Sequence, residues 1–214
     1  MFRAILVSQW KASRGLVLLA TLVAFALPLA SLQNAQSATN AAGFVMSMQA
    51  WGGFYGIAAA GLGLLVAMAA WRPDHAGHHV YALSLPISRA RYAGFRFAAG
   101  MLFLAPALLA LLLGAAVVAM TGAIPSGLHA YPVALALRFA LAAMVAFALF
   151  FAIASSTQKT AGIIVALIAG MFFAQYLLVM FGSDFDVLGP LGDFIFIRPG
   201  ILSVFSGRWM LVDV

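Results

Sequence analysis

The chain has 214 residues, of which 65% are hydrophobic and 7% charged, and its mean hydropathy is +1.10. Soluble domains hold about 45–50% apolar and about 25% charged residues. A water-soluble globule of this size would lack the polar surface it needs, and a disordered chain requires low hydrophobicity, so an integral membrane protein is the class left standing. The net charge is +6 with five acidic residues and no cysteine. Disulfides, zinc–thiolate sites and cysteine nucleophiles are therefore excluded. No basic stripe interleaved with exposed aromatics points to nucleic acid.

A helix needs about 20 apolar residues to cross a bilayer core. Five stretches qualify, at 16–32, 50–71, 93–121, 132–154 and 161–181. Ahead of the first, Phe2, Ile5, Leu6, Val7 and Trp10 fall on one helical stripe, with Arg3, Gln9 and Lys11 elsewhere. That pattern predicts an interfacial helix over 1–14, its Trp at the lipid boundary and its cations toward anionic lipid; the alternative is a plain helical lead into the span. The connection 33–49 holds no Lys or Arg. Within the second span Gly52, Gly56 and Ala60 form a small-residue face suited to close helix approach.

The connection 72–96 carries most of the chemistry. Pro73 and Gly77 are expected to end the second span. Asp74, His75, His78 and His79 form a D-H-x-x-H-H cluster. Two histidines could share a helical face as zinc ligands do, but Pro73 and Gly77 disfavour a regular helix there and no fourth strong ligand is near; a solvated, titrating loop is the favoured reading, with no metal site. Residues 80–85 are apolar enough for a short amphipathic helix, broken by Pro86. Ser88 is placed to cap the helix beginning at Arg89, Ala90 and Arg91. A short helix between two spans suits docking to a soluble partner, and equally an ordinary re-entry loop.

Of the remaining connections, 122–131 has no cation and the next carries Lys159. Eight of the eleven cations thus fall on one side, which the positive-inside rule makes cytoplasmic, with the N-terminus inside. Arg138 is the one charge expected within a span, structural in role and within reach of Asp184, Asp186 or Asp193. Residues 182–214 form an extracytoplasmic tail. Its last stretch, 209–214, reads as the approach to a further span, so five complete spans and a truncated sixth are expected. The fold expectation is an all-α, polytopic membrane helical bundle forming a single transmembrane domain.

Catalysis finds little support. There is no G-x-x-x-x-G-K-[ST] phosphate loop and no H-E-x-x-H, and Ser155 and Ser156 have no neighbouring histidine in sequence. The chain is not expected to be an enzyme.

Residues 83–92 read LSLPISRARY. Leu83, Leu85, Pro86, Ile87, Ser88, Arg89, Tyr92 and Arg96 resemble the L-x-L-P-[VI]-S-R loop, followed by an aromatic and a basic residue, of type-two ABC exporter permeases. The order of elements is similar along nearly the whole chain. Two departures stand out: five complete spans against the family's usual six, and D-H-A-G-H-H where many members carry an acidic Gly-Thr stretch. The resemblance implies a permease subunit in the bacterial cytoplasmic membrane, paired with a second permease chain as a homo- or heterodimer. ATP and Mg would sit on a separate ATPase, with no cofactor on this chain. Val80, Tyr81, Leu83, Leu85, Pro86, Ser88, Arg89 and Arg91 would form the loop coupled to that ATPase, and Gly162, Ala166 and Gly170 would line the dimer seam. The competing readings are a membrane scaffold that transports nothing and an ion-coupled carrier, which should show an ionisable group or broken helix at mid-membrane.

Overall fold

The computed structural model describes residues 2–76, 87–121, 124–156, 158–180, 186, 189–190, 193, 200–206, 209 and 211–213. In chain order these form α1 (Phe2–Ala35), α2 (Ala41–Ala50), α3 (Gly52–Ala76), α4 (Arg89–Met120), β1 (His129–Ala130), α5 (Pro132–Ala154), α6 (Gln158–Met180), a 3-10 turn (Ile201–Phe205) and β2 (Val212–Asp213). Four helical stretches are long and apolar enough to cross a membrane: α1, α2 with α3, α4 and α5. A shorter apolar stretch, 162–178, lies within α6. The chain is a helical, multi-pass membrane protein. The described residues group into two compact units, Met1–Phe151 with Arg208–Val214, and Ala152–Gly207.

In the larger unit α1 and α4 run parallel, because Phe2 meets Phe95 at 5.9 Å and Trp10 meets Phe103 at 5.9 Å. Deeper in, Gly114 of α4 lies so close to the Phe25 backbone carbonyl that a β-carbon there would collide with it. Small residues let helices approach this closely where lipid supplies no hydrophobic drive. α1 is one unbroken helix through Arg14 and Gly15, so residues 2–14 and the first apolar run belong to a single element of 34 residues. At ~1.5 Å per residue it is ~51 Å long, well beyond a hydrocarbon core of ~30 Å.

α3 and α5 run opposite to α4. Phe147 packs on Phe97 at 5.1 Å, and Phe151 packs on both Phe97 (5.3 Å) and Trp71 (5.2 Å). A β-carbon on Gly63 would lie 2.5 Å from the Phe147 backbone nitrogen. Ser31 joins α1 to α3: its hydroxyl donates to the Pro28 carbonyl (2.8 Å), which leaves its oxygen to accept from the Tyr55 hydroxyl (3.1 Å).

Two connections hold structure that their polarity did not announce. In 33–49, Asn40 Oδ1 accepts from the Gly43 amide at 2.7 Å and starts α2. Beyond α4, β1 pairs antiparallel with β2, with His129 opposite Asp213 and Ala130 opposite Val212. The Tyr131 amide extends this ladder to the Leu211 carbonyl at 2.8 Å.

Candidate functional site

The start of α1, the end of α3 and the start of α4 share one end of the larger unit. That end is basic. Arg3, Lys11, Arg14, Arg72, Arg89 and Arg91 are all exposed there.

The same end holds a buried ionic lock. Asp74 and Arg96 are 2% and 3% exposed, although no charge was expected at either place inside the protein. Arg96 Nη2 donates to Asp74 Oδ1 at 2.8 Å. The Tyr92 hydroxyl donates to the Asp74 carboxylate, at 2.9 Å to Oδ1 and 3.1 Å to Oδ2. Its oxygen in turn accepts from Arg96 Nε (2.8 Å) and Nη2 (2.7 Å). Arg96 Nη1 donates to the Ala70 carbonyl. The guanidinium also lies 5.8 Å from the Trp71 ring centre and 5.1 Å from that of Tyr92. Two ions taken out of water are tolerated only when their lone pairs and protons are satisfied in this way.

The local sequence explains the placement. Tyr92 and Arg96 are one helical turn apart on α4, so they share a face. Asp74 reaches them because α3 does not end at Pro73. This corrects the expectation that Pro73 stops the span; Gly77, the other expected stop, lies outside the described residues. A proline inside a helix removes the amide that would bond the carbonyl four residues earlier, here that of Ala69, and in the same turn the Ala70 carbonyl takes up the Arg96 guanidinium. Yet α3 continues through Pro73 to Ala76 and carries Asp74 inward. The reading of Asp74 as part of a solvated histidine loop is corrected by the same fact. His75 sits on the last turn of α3, whereas His78 and His79 lie outside the described residues. Among the described residues no group of three potential ligands could hold a metal ion.

Of the residues assigned to the coupling loop, Val80, Tyr81, Leu83, Leu85 and Pro86 lie outside the described residues. Ser88 caps α4 as its position predicted, its Oγ accepting from the Arg91 amide at 3.4 Å. Arg89 and Arg91 are exposed on the first turn, Arg91 5.8 Å from the Phe95 ring centre. Gly162, Ala166 and Gly170 are exposed on α6, and a β-carbon on either glycine would meet nothing within 4 Å.

At the opposite end of the larger unit, Trp209 is 3% exposed. Its β-carbon lies 3.3 Å from where a Gly52 side chain would start, and its ring 3.9 Å from the same point on Gly56. The two glycines expected to admit a neighbouring helix thus seat a tryptophan. Arg138 stacks on that ring, its guanidinium 4.9 Å from the ring centre. Leu211 and Val212 are also buried, and Val212–Asp213 pairs as a strand with β1 in the stretch expected to approach a further span.

Compared with models of known protein families, with curated proteins and with solved structures, the chain gives no match.

Proposed function

We propose that the chain is the permease subunit of an ATP-driven ABC exporter in a bacterial cytoplasmic membrane. In this reading it has five complete spans with the N-terminus inside, and it forms the substrate path with a second permease chain. A separate subunit binds ATP and Mg and docks on the loop at 80–91.

The observation that carries the reading is the pairing of LSLPISRARY with the ionic lock. A loop that transmits force from an ATPase must be anchored at both ends. Asp74 lies three residues before the segment 77–88 and Arg96 eight residues after it, and their 2.8 Å contact joins its two flanking helices. Ser88 fixes where the second helix begins. Among type-two permeases the seam between permease chains involves the first and fifth spans, which would give the open faces of Gly162, Ala166 and Gly170 an occupant.

The test is purification of the chain in nanodiscs with mass spectrometry of whatever accompanies it. A stoichiometric subunit bearing a phosphate-binding loop is expected, and Leu85→Asp should release it and abolish its stimulated ATP hydrolysis. A complex with no nucleotide-binding subunit would replace the exporter reading with that of a membrane scaffold.

A further inference from the structure

Asp74 is the sole side-chain carboxylate before Asp184. It is buried and committed to Arg96 and Tyr92. The six exposed cations of the basic end therefore have no acid among the described residues of that end to neutralise them. An anion from outside the described residues is the natural counter-charge.

Three turns of α1 gather part of this charge on one face. Arg3, Ala4, Val7, Ser8 and Lys11 line a groove of about 690 Å³ that opens outward. Arg3 and Lys11 bound it at its two ends, eight residues or ~12 Å apart along the axis. Ser8 adds a hydroxyl between them and Val7 an exposed apolar side chain. The opposite face of the same turns, carrying Ile5, Gln9 and Ser13, is buried.

We propose that this groove binds the headgroup of an anionic phospholipid. Depth favours a lipid over an acidic protein surface. The apolar run of α1 begins at Leu16, and Trp10, 40% exposed, lies beside Lys11 at the level where tryptophan marks the water–lipid boundary. Lys11 then meets the phosphate from the hydrocarbon side, and Arg3, whose long side chain can reach back along the helix, meets it from the aqueous side. Ser8 donates to a phosphate oxygen, and Val7 lies against the glycerol backbone. Orientation by positive charge alone requires cations anywhere near the span; it does not require two of them with a hydroxyl between on one exposed helical face. The inference stands apart from the exporter reading, because it uses the turns of α1 ahead of its apolar run and neither the loop nor the seam.

Each basic side chain near an anionic surface raises affinity by a factor of about five, so two contribute about 25-fold. The experiment measures lipid binding to the full chain in detergent by native mass spectrometry, with phosphatidylglycerol and phosphatidylcholine of identical acyl chains. Phosphatidylglycerol should bind at least about 10-fold more tightly. Arg3→Gln with Lys11→Gln should remove most of that preference, while Arg89→Gln with Arg91→Gln, at the same end, should change it less than about three-fold. An unchanged melting temperature of both variants without lipid shows that they fold. Equal binding of the two lipids would overturn the proposal, as would equal losses in the two variants. Competition by inorganic phosphate at matched concentration would reassign the groove to a free anion. Displacement of the lipid by an acidic peptide at lower concentration would reassign it to a protein partner.

Discussion

Arg96 and Asp74 stand 22 residues apart in sequence and 2.8 Å apart in space, each almost wholly buried. Their value lies in being broken or kept together. Replacing one alone leaves an uncompensated charge in a low-dielectric interior, at a cost of about 3–5 kcal/mol. Replacing both with apolar residues of similar size removes both desolvation penalties. Asp74→Leu and Arg96→Met should therefore each lower the melting temperature in detergent more than the double substitution does. Equal and additive losses would mean that the two groups are not coupled.

Tyr92→Phe isolates the hydroxyl at the centre of this network. It removes the donor to Asp74 and the acceptor for Arg96 while leaving the ring against the guanidinium. Hydrogen bonds to charged groups are worth about 1.5–3 kcal/mol each, and part of that is recovered as the Arg96–Asp74 contact tightens. A loss of about 2 kcal/mol by denaturant unfolding is expected, smaller than that of either charge deletion.

Gly63 and Gly61 lie two residues apart on α3 and make opposite predictions. A β-carbon at 63 would fall 2.5 Å from the Phe147 amide nitrogen and 2.7 Å from the Ala146 β-carbon, whereas one at 61 would meet nothing within 4 Å. Gly63→Val should force α5 away and cost about 1–3 kcal/mol or more. Gly61→Val should leave the unfolding midpoint within about 0.5 kcal/mol of the parent. A reversal of this order would displace α5 from α3.

These contacts mark where reading the chain alone stopped. Apolar length located the four long helical stretches, and the Ser88 hydroxyl announced the start of α4, because both signals are local. The lock was not local. Asp74 reads as the first residue of a polar loop because proline commonly ends a helix, and nothing local to it shows that a partner on another helix takes its charge. Arg96 looked like an orientation charge because its acid lies on another helix. The small-residue face of Gly52 and Gly56 was visible as a face, yet the spacing could not say that a tryptophan some 150 residues later would fill it. Arg138 reads from sequence as a charge in need of a partner, and a carboxylate is the partner that charge suggests; that an aromatic ring also faces it is a tertiary fact no local spacing carries. The polar 33–49 connection hid α2 because a cap at Asn40 is a single residue among several turn formers.

Gln9 is 1% exposed, and neither its Nε2 nor its Oε1 finds a hydrogen-bond partner among the described residues. A buried polar group left unmatched costs about 1–3 kcal/mol, and an apolar group of the same shape avoids that cost. Gln9→Met keeps the length of the side chain and should raise stability by about 1–2 kcal/mol, measured as a shift of the unfolding midpoint. A loss instead would show that the carboxamide is satisfied by water or by a bound molecule.

The segment 209–213 makes the last prediction, and the chain's lack of cysteine makes it easy to read. Ala130 and Val212 face each other in the antiparallel ladder. Directly opposed residues in such a pair have Cα atoms about 4.5–5.5 Å apart, inside the ~4.4–6.8 Å window of a disulfide. Ala130→Cys with Val212→Cys should therefore cross-link under mild oxidation and shift the mass on a non-reducing gel, with no competing thiol to confuse the result. Trp209→Ala empties the seat formed by Gly52, Gly56 and Arg138, at a cost of about 3–5 kcal/mol if the cavity does not collapse. Placed in the double-cysteine background, it should slow the cross-link, because the ladder is short, two paired positions and the Tyr131–Leu211 bond among the described residues, and depends on the buried tryptophan to hold its register. A cross-link that forms at the same rate without Trp209 would mean that the strands pair by themselves and that the tryptophan merely fills space.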